Sequence, residues 1–223
     1  MRFPLTSRMS GGYPDGEQLA VMHGGYVQLW DTRSGTRQFS LLAADPRSYL
    51  TGRAAYSPDG SRLVMYAHPY ELSLWDTRTG KRLRALHPPM TLTWRSAVVD
   101  VQFTPDGVVF VVVGGTGQAT LFRTGDGSPL RILAAPRMPF METTVPRGSV
   151  AAAFSGDGRR VAVLHAGGKA RLYDVRSGRV LGAAQVEDAQ ASVSRHWTGT
   201  LTLKGRTLKA RTPNGVTFTM VFR

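Results

Sequence analysis

Short apolar runs of strand length recur along the chain, and turn-forming residues bound each of them. The runs at 19–22, 63–66, 109–113 and 161–164 are apolar at both parities, which predicts strands covered on both faces. A second set follows at 27–30, 72–75, 119–122 and 170–173, each ending on an aromatic: Trp30, Trp75, Phe122 and Tyr173. Smaller apolar runs, such as 98–103 and 150–154, come before the first set. A fourth kind, such as 82–86 and 130–134, comes after the second. The punctuation is regular. "YPDG", "SPDG", "TPDG" and "SGDG" end at Gly16, Gly60, Gly107 and Gly158, and a second glycine stands five residues after each aromatic, at Gly35, Gly80, Gly127 and Gly178. Pro presets φ, Asp bonds the neighbouring backbone and Gly accepts positive φ, so both stretches read as tight turns. Four strands joined by three tight connections make an antiparallel meander. The meander occurs four times, with periods of 44 to 51 residues.

A four-stranded sheet that is apolar on both faces is not stable alone. Stacking such sheets buries both faces, and stacking them radially gives a propeller. The nearly identical "LWDTRSGTR" at 29–37 and "LWDTRTGKR" at 74–82, with "SPDG" and "LYDVRSG", resemble the WD40 repeat family. The resemblance covers roughly residues 13–185 and is weakest in the third unit, where "LFRTGDG" replaces "LWDTRTG". It implies an all-β fold, a β-propeller of four-stranded antiparallel blades. In it the Trp packs between blades, the Asp starts a turn and the Gly finishes it. The whole chain, 1–223, is expected to form one domain, with units at about 13–45, 54–88, 98–135 and 150–185 and a degenerate fifth at 190–223. In the fifth, strands are expected at 198–203, 207–211 and 216–222, with 191–194 as an innermost strand. Five blades close a ring by themselves or form part of a larger one. The family often braces each blade with a Gly-His pair and an Asp six residues before the Trp. Here those Asp positions hold Gly24, Pro69, Thr116 and Gly167.

Composition narrows the function classes. With 42% hydrophobic and 19% charged residues, the chain is neither disordered nor membrane-like. It has no apolar run near the roughly 20 residues of a membrane-spanning helix. The start lacks an apolar segment of signal-peptide type, so a cytoplasmic protein without membrane contact is expected. The absence of cysteine excludes disulfides, thiolate metal sites and a cysteine nucleophile. The formal net charge is +13, from 28 basic and 15 acidic residues. That balance favours acidic partners, nucleic acid or an anionic surface. It also fits an Arg-rich solvated surface.

Catalytic signals are weak. Of eleven Asp, eight stand in repeat turns: Asp15, Asp31, Asp59, Asp76, Asp106, Asp126, Asp157 and Asp174. General acid–base work needs paired, tuned groups, and none is evident. His23, His68, His87, His165 and His196 have no metal-ligand spacing. "GGTGQA" at Gly114 sits in a hairpin with no following helix, so it reads as a turn. No enzyme activity, cofactor or small-molecule substrate is expected.

Surface remains. A meander sends its second-to-third turns and its blade connections to one face of the disc. That rim carries Tyr26, His68, Tyr70, Met90, Trp94, Met138, Phe140 and Met141 as candidate partner-binding residues, types enriched in interface cores. Arg33, Arg78, Arg82, Arg84, Arg131, Arg176 and Arg179 fall on the opposite face and circumference as candidate polyanion-binding residues. Charges on outer strands also discourage edge pairing. The first reading is a non-enzymatic scaffold that binds protein partners within a larger assembly. The alternative is a basic propeller that binds RNA or another polyanion in a ribonucleoprotein.

Overall fold

The computed structural model describes residues 8–12, 16–23, 26–42, 52–67, 71–87, 98–114, 118–133, 149–165, 168–185, 200–211 and 217–223. Within them all regular structure is β. The first blade is β1 (Arg8–Gly12), β2 (Gln18–His23), β3 (Tyr26–Asp31) and β4 (Arg37–Leu42). The second is β5 (Gly52–Tyr56), β6 (Arg62–Ala67), β7 (Glu71–Asp76) and β8 (Arg82–Leu86). The third is β9 (Val98–Phe103), β10 (Val109–Gly114), β11 (Ala119–Arg123) and β12 (Pro129–Leu133). The fourth is β13 (Ser149–Phe154), β14 (Arg160–His165), β15 (Lys169–Asp174) and β16 (Val180–Gln185). A fifth sheet holds β17 (Thr200–Lys204), β18 (Thr207–Arg211) and β19 (Thr217–Val221). Every sheet follows chain order with antiparallel neighbours, as short turns require. The innermost strands touch in succession, β1 to β5, β9, β13 and β17, so the sheets stand as propeller blades.

The turns form as their residues dictate. In the first-to-second strand turn of the second blade, the Gly60 N–H donates to the Ser57 carbonyl at 2.8 Å, and Ser57 Oγ donates to Asp59 at 2.6 Å. Gly60 has φ of 69°, a region that a β-branched residue resists. In the third-to-fourth strand turn, the Asp76 carboxylate accepts the Thr79 N–H and hydroxyl, both at 2.9 Å. Asp31 and Asp174 do the same for Ser34 and Ser177. The third blade has Arg123 at that register, and Asp126 accepts the Ser128 N–H at 2.9 Å instead. The Thr77 hydroxyl donates to the Gly60 carbonyl at 2.6 Å, which holds both turn types on one face of the disc.

Among the described residues an apolar cluster fills each interface between successive blades. Leu29 and Leu41 of the first blade meet Leu63, Met65 and Trp75 of the second. Val64, Tyr66 and Leu74 meet Phe110, Val112 and Phe122 of the third. Val111, Val113 and Leu121 meet Val161, Val163 and Tyr173 of the fourth. Leu164 and Leu172 meet Leu208, Met220 and Phe222 of the fifth. The second strands of the three middle blades, β6, β10 and β14, therefore send alternate residues to opposite neighbours, which accounts for their apolar residues at both parities. Trp75 is 6% exposed and Tyr173 1%. Trp30, expected in the same role, is only half-buried, because its register points it away from the second blade. In the fifth sheet Met220 takes the aromatic's register. There β17 lies against β13, with a parallel bridge from Leu203 to Ser155, and so holds the inner place. The innermost strand expected at 191–194 lies outside the described residues.

A second contact ties the blades together. The glycine of the third-to-fourth strand turn sits on the outer strand of the preceding blade. A Cβ on Gly80 would stand 2.5 Å from Phe39 Cδ1, one on Gly127 2.8 Å from Leu86 Cδ2, and one on Gly178 2.9 Å from Arg131 Cδ. Gly16 shares the positive φ, 77° against 66° at Gly80, but nothing lies within 4 Å of its Cβ position. Gly80→Ala should therefore lower the thermal midpoint well beyond Gly16→Ala, since only the former adds an inter-blade clash to the backbone strain. Equal losses in differential scanning calorimetry would show that the contact carries no weight.

Candidate binding surfaces

The polar chemistry of the turn face starts with its aspartates. Hydrogen bonds from Ser57 and Ser61 hold Asp59 below the usual carboxylate range. Thr104 and Val108 do this for Asp106, and Ser155 and Arg159 for Asp157. Burial pushes Asp76 upward, but the Thr79 bonds and the Arg62 guanidinium, 2.9 Å away, outweigh it and leave its pKa lowered. These carboxylates are ionised structural acceptors. Asp100, outside the turns, joins two blades: it accepts the N–H of Val101 and the N–H of Ala152 on the neighbouring inner strand, both at 2.9 Å. Among the described residues no group of three or more His, Asp or Glu could hold a metal ion.

The arginines divide by blade. Arg33 forms an ion pair with Glu17. Arg84 donates to the Asp126 carbonyl of the next blade at 2.8 Å, and Arg131 Nε donates to the Arg176 carbonyl at 3.0 Å. Arg78, Arg82 and Arg179 are exposed. Arg131 and Arg176 line an open groove between the third and fourth blades, joined there by Arg123 and Arg159. Sequence reasoning passed over those last two. Arg123 was legible as the one basic residue at a register where the other four-stranded blades carry Asp31, Asp76 and Asp174.

On the opposite face Tyr26 opens β3 and is half-buried. The other candidate partner-binding residues, His68, Tyr70, Met90, Trp94, Met138, Phe140 and Met141, lie outside the described residues. His165 ends β14 on that side, 3% exposed. Burial, aided by the Arg171 charge, pushes its pKa down from 6.5 to about 4.

No family model matches the chain. It is 27% identical over 207 residues to an uncharacterized WD repeat-containing protein of Deinococcus radiodurans, covering 82% of this chain and 75% of that protein. A second such protein of the same organism is 27% identical over 186 residues, covering 75% of this chain and 68% of its own length. These relatives join the five sheets and the Trp-Asp turns. The chain is a propeller similar to WD40-repeat proteins. A bromodomain and WD repeat-containing protein of Dictyostelium discoideum is 26% identical over 110 residues, which are 48% of this chain and 5% of that protein. WD40 propellers serve in general as protein-interaction scaffolds. In this one no helix is long and apolar enough to cross a membrane among the described residues.

The buried histidine gives the propeller a measurable acid response. Between pH 6.5 and about 4 the unfolded chain binds a proton that folded His165 refuses, so stability falls as pH drops through that window. At about 1.4 kcal/mol per pKa unit the loss is on the order of 3 kcal/mol. In urea unfolding across this range, His165→Leu should flatten that part of the profile. The turn aspartates, lowered from 3.8, then govern the steeper loss at lower pH. An unchanged slope in the variant would remove His165 from the account.

Proposed function

We propose that this WD40-repeat chain is a non-enzymatic scaffold that binds protein partners within a larger assembly. The observation that carries this reading is where the carboxylates go. The described turn aspartates accept hydrogen bonds within their own loops, and Asp100 stitches two inner strands. Acid–base chemistry needs such groups aimed at a substrate, whereas here they rigidify a frame that presents loops, the usual place for binding. The partner face is the one with the second-to-third strand hairpins and the blade connections. The sequence assigns to it Tyr26, His68, Tyr70, Met90, Trp94, Met138, Phe140 and Met141. Met offers adaptable contact area and the rings offer rigid anchors.

The alternative, RNA or another polyanion held by the basic face in a ribonucleoprotein, rests on the +13 charge and the exposed arginines. Salt separates the two: phosphate contacts weaken steeply with salt, while an aromatic-centred contact does not. With the full chain as bait and the captured partner purified, Phe140→Ala with Trp94→Ala should weaken binding by at least ~2 kcal/mol with the fold intact. Arg33→Glu with Arg78→Glu should change it little. The reverse outcome would hand the function to the basic face.

A further inference from the structure

Two grooves framed by the same register positions open on the turn face, and they differ in charge. The groove between the first and second blades, about 590 Å³, is lined by Glu17 and Asp31 beside Arg78, and Glu17 also pairs with Arg33. Positive charge there is answered on the spot. The groove between the third and fourth blades, about 1090 Å³, is lined by Arg123, Arg131, Arg159 and Arg176. Three register differences build it: Arg123 stands where the first blade has Asp31, Val108 where it has Glu17, and Arg159 where the second blade has Ser61.

The groove also holds Asp106, Asp157 and Asp174, ionised and bonded into their own loops, where the Arg159 and Arg176 charges also hold Asp157 and Asp174. Four guanidinium groups against three carboxylates leave the lining net positive, whereas one arginine against Glu17 and Asp31 leaves the other groove net negative. Asp106 accepts the Thr104 hydroxyl at 2.6 Å, Asp157 the Ser155 hydroxyl at 2.5 Å and Asp174 the Ser177 hydroxyl at 2.6 Å. None of the four guanidinium groups forms an ion pair with a described residue. Arg131 is pre-positioned: its Nε is tied to the Arg176 carbonyl at 3.0 Å, and its stem lies over Gly178. Little conformational freedom is left for it to lose on binding. Between the arginines the lining is aliphatic: Val108, Val109, Leu130 and Val175, with Val108 60% exposed.

We propose that this groove binds an extended acidic polypeptide segment. Its carboxylates meet the arginine forks, and its intervening apolar side chains rest on the valines and Leu130. An extended chain alternates its side chains with a period of two, which suits a lining of mixed arginine and aliphatic character. The guanidinium fork matches a carboxylate bidentately. Among the described residues no aromatic lines the groove, and the described lining offers no stacking platform of the kind on which single-stranded nucleic acid relies. Its volume exceeds the range of about 300–1,000 Å³ usual for small-molecule sites. This surface lies on the face opposite the aromatic rim, so its failure would leave the scaffold reading standing.

The test uses the full chain, a fluorescent synthetic peptide alternating Glu and Val, its Gln/Val counterpart, and an oligouridylate RNA. The Glu/Val peptide should bind and the Gln/Val peptide should not. Arg123→Glu with Arg159→Glu should weaken Glu/Val binding by about tenfold or more. Arg78→Glu with Arg82→Glu makes the same charge change elsewhere and should stay within about twofold. Thermal unfolding checks that each variant is folded, and Arg123→Gln with Arg159→Gln replaces a reversal that does not fold. Equal losses in the two reversals would reduce the effect to net charge and overturn the proposal. Oligouridylate binding tighter than the peptide, and lost on groove reversal, would overturn it in favour of nucleic acid.

Discussion

The second, third and fourth blades are apolar on both faces, and this governs the rest of the molecule. In β6, Leu63 and Met65 go to the first blade while Val64 and Tyr66 go to the third. A sheet of this kind has no solvent side and so has no stable existence apart from its neighbours. The aromatic of the third strand is the largest piece of each interface it enters. Its polar tip is satisfied from its own strand, as the Trp75 indole donates to the Ser73 hydroxyl at 2.8 Å. The positive-φ glycine of the following turn then lets the two blades close to contact distance at Phe39, Leu86 and Arg131.

Stacking also decides where polar groups go. With the strand faces taken, they concentrate in turns, at strand ends and on outer strands. Asp is used as a local acceptor, and the N–H and hydroxyl donors that hold its charge lower its pKa, a stabilisation present at neutral pH and lost as pH falls through the lowered value. Where the repeat departs from its own rule, the surface changes character. Replacing the turn Asp with Arg123 moves the capping task to Asp126 and adds a guanidinium to a groove that already carries Arg131, Arg159 and Arg176. The difference in charge between the two grooves lies in single residues at matching turn registers.

Strands and turns were legible in the sequence because their signals are local. Pro-Asp-Gly and Trp-Asp-Thr-Arg-Ser-Gly state a turn within a few residues, and double-parity apolar runs state a strand covered twice. The fate of Trp30 was not legible, because half-burial at that register depends on which neighbour a face meets. The basic groove was hidden for a related reason. Arg123 and Arg131 come from the third blade, Arg159 and Arg176 from the fourth, and only blade order brings them together. Arg33 and Arg176 share a register yet differ, since one faces Glu17 and the other faces Arg131. The burial of His165 follows from packing on both faces of β14, which its place at the end of an apolar run only hinted at.

The claim that blades stand by stacking is tested most directly by amide hydrogen exchange on Trp75→Ala beside the unaltered chain. Removing a large buried aromatic costs about 3–5 kcal/mol. The loss should appear in the amides of β2, β3, β6 and β7 together, on both sides of the interface Trp75 fills, and more weakly in β14 and β18. Loss of protection confined to β7, with β2 and β3 exchanging as before, would mean that each sheet holds itself and that the stacking account is wrong.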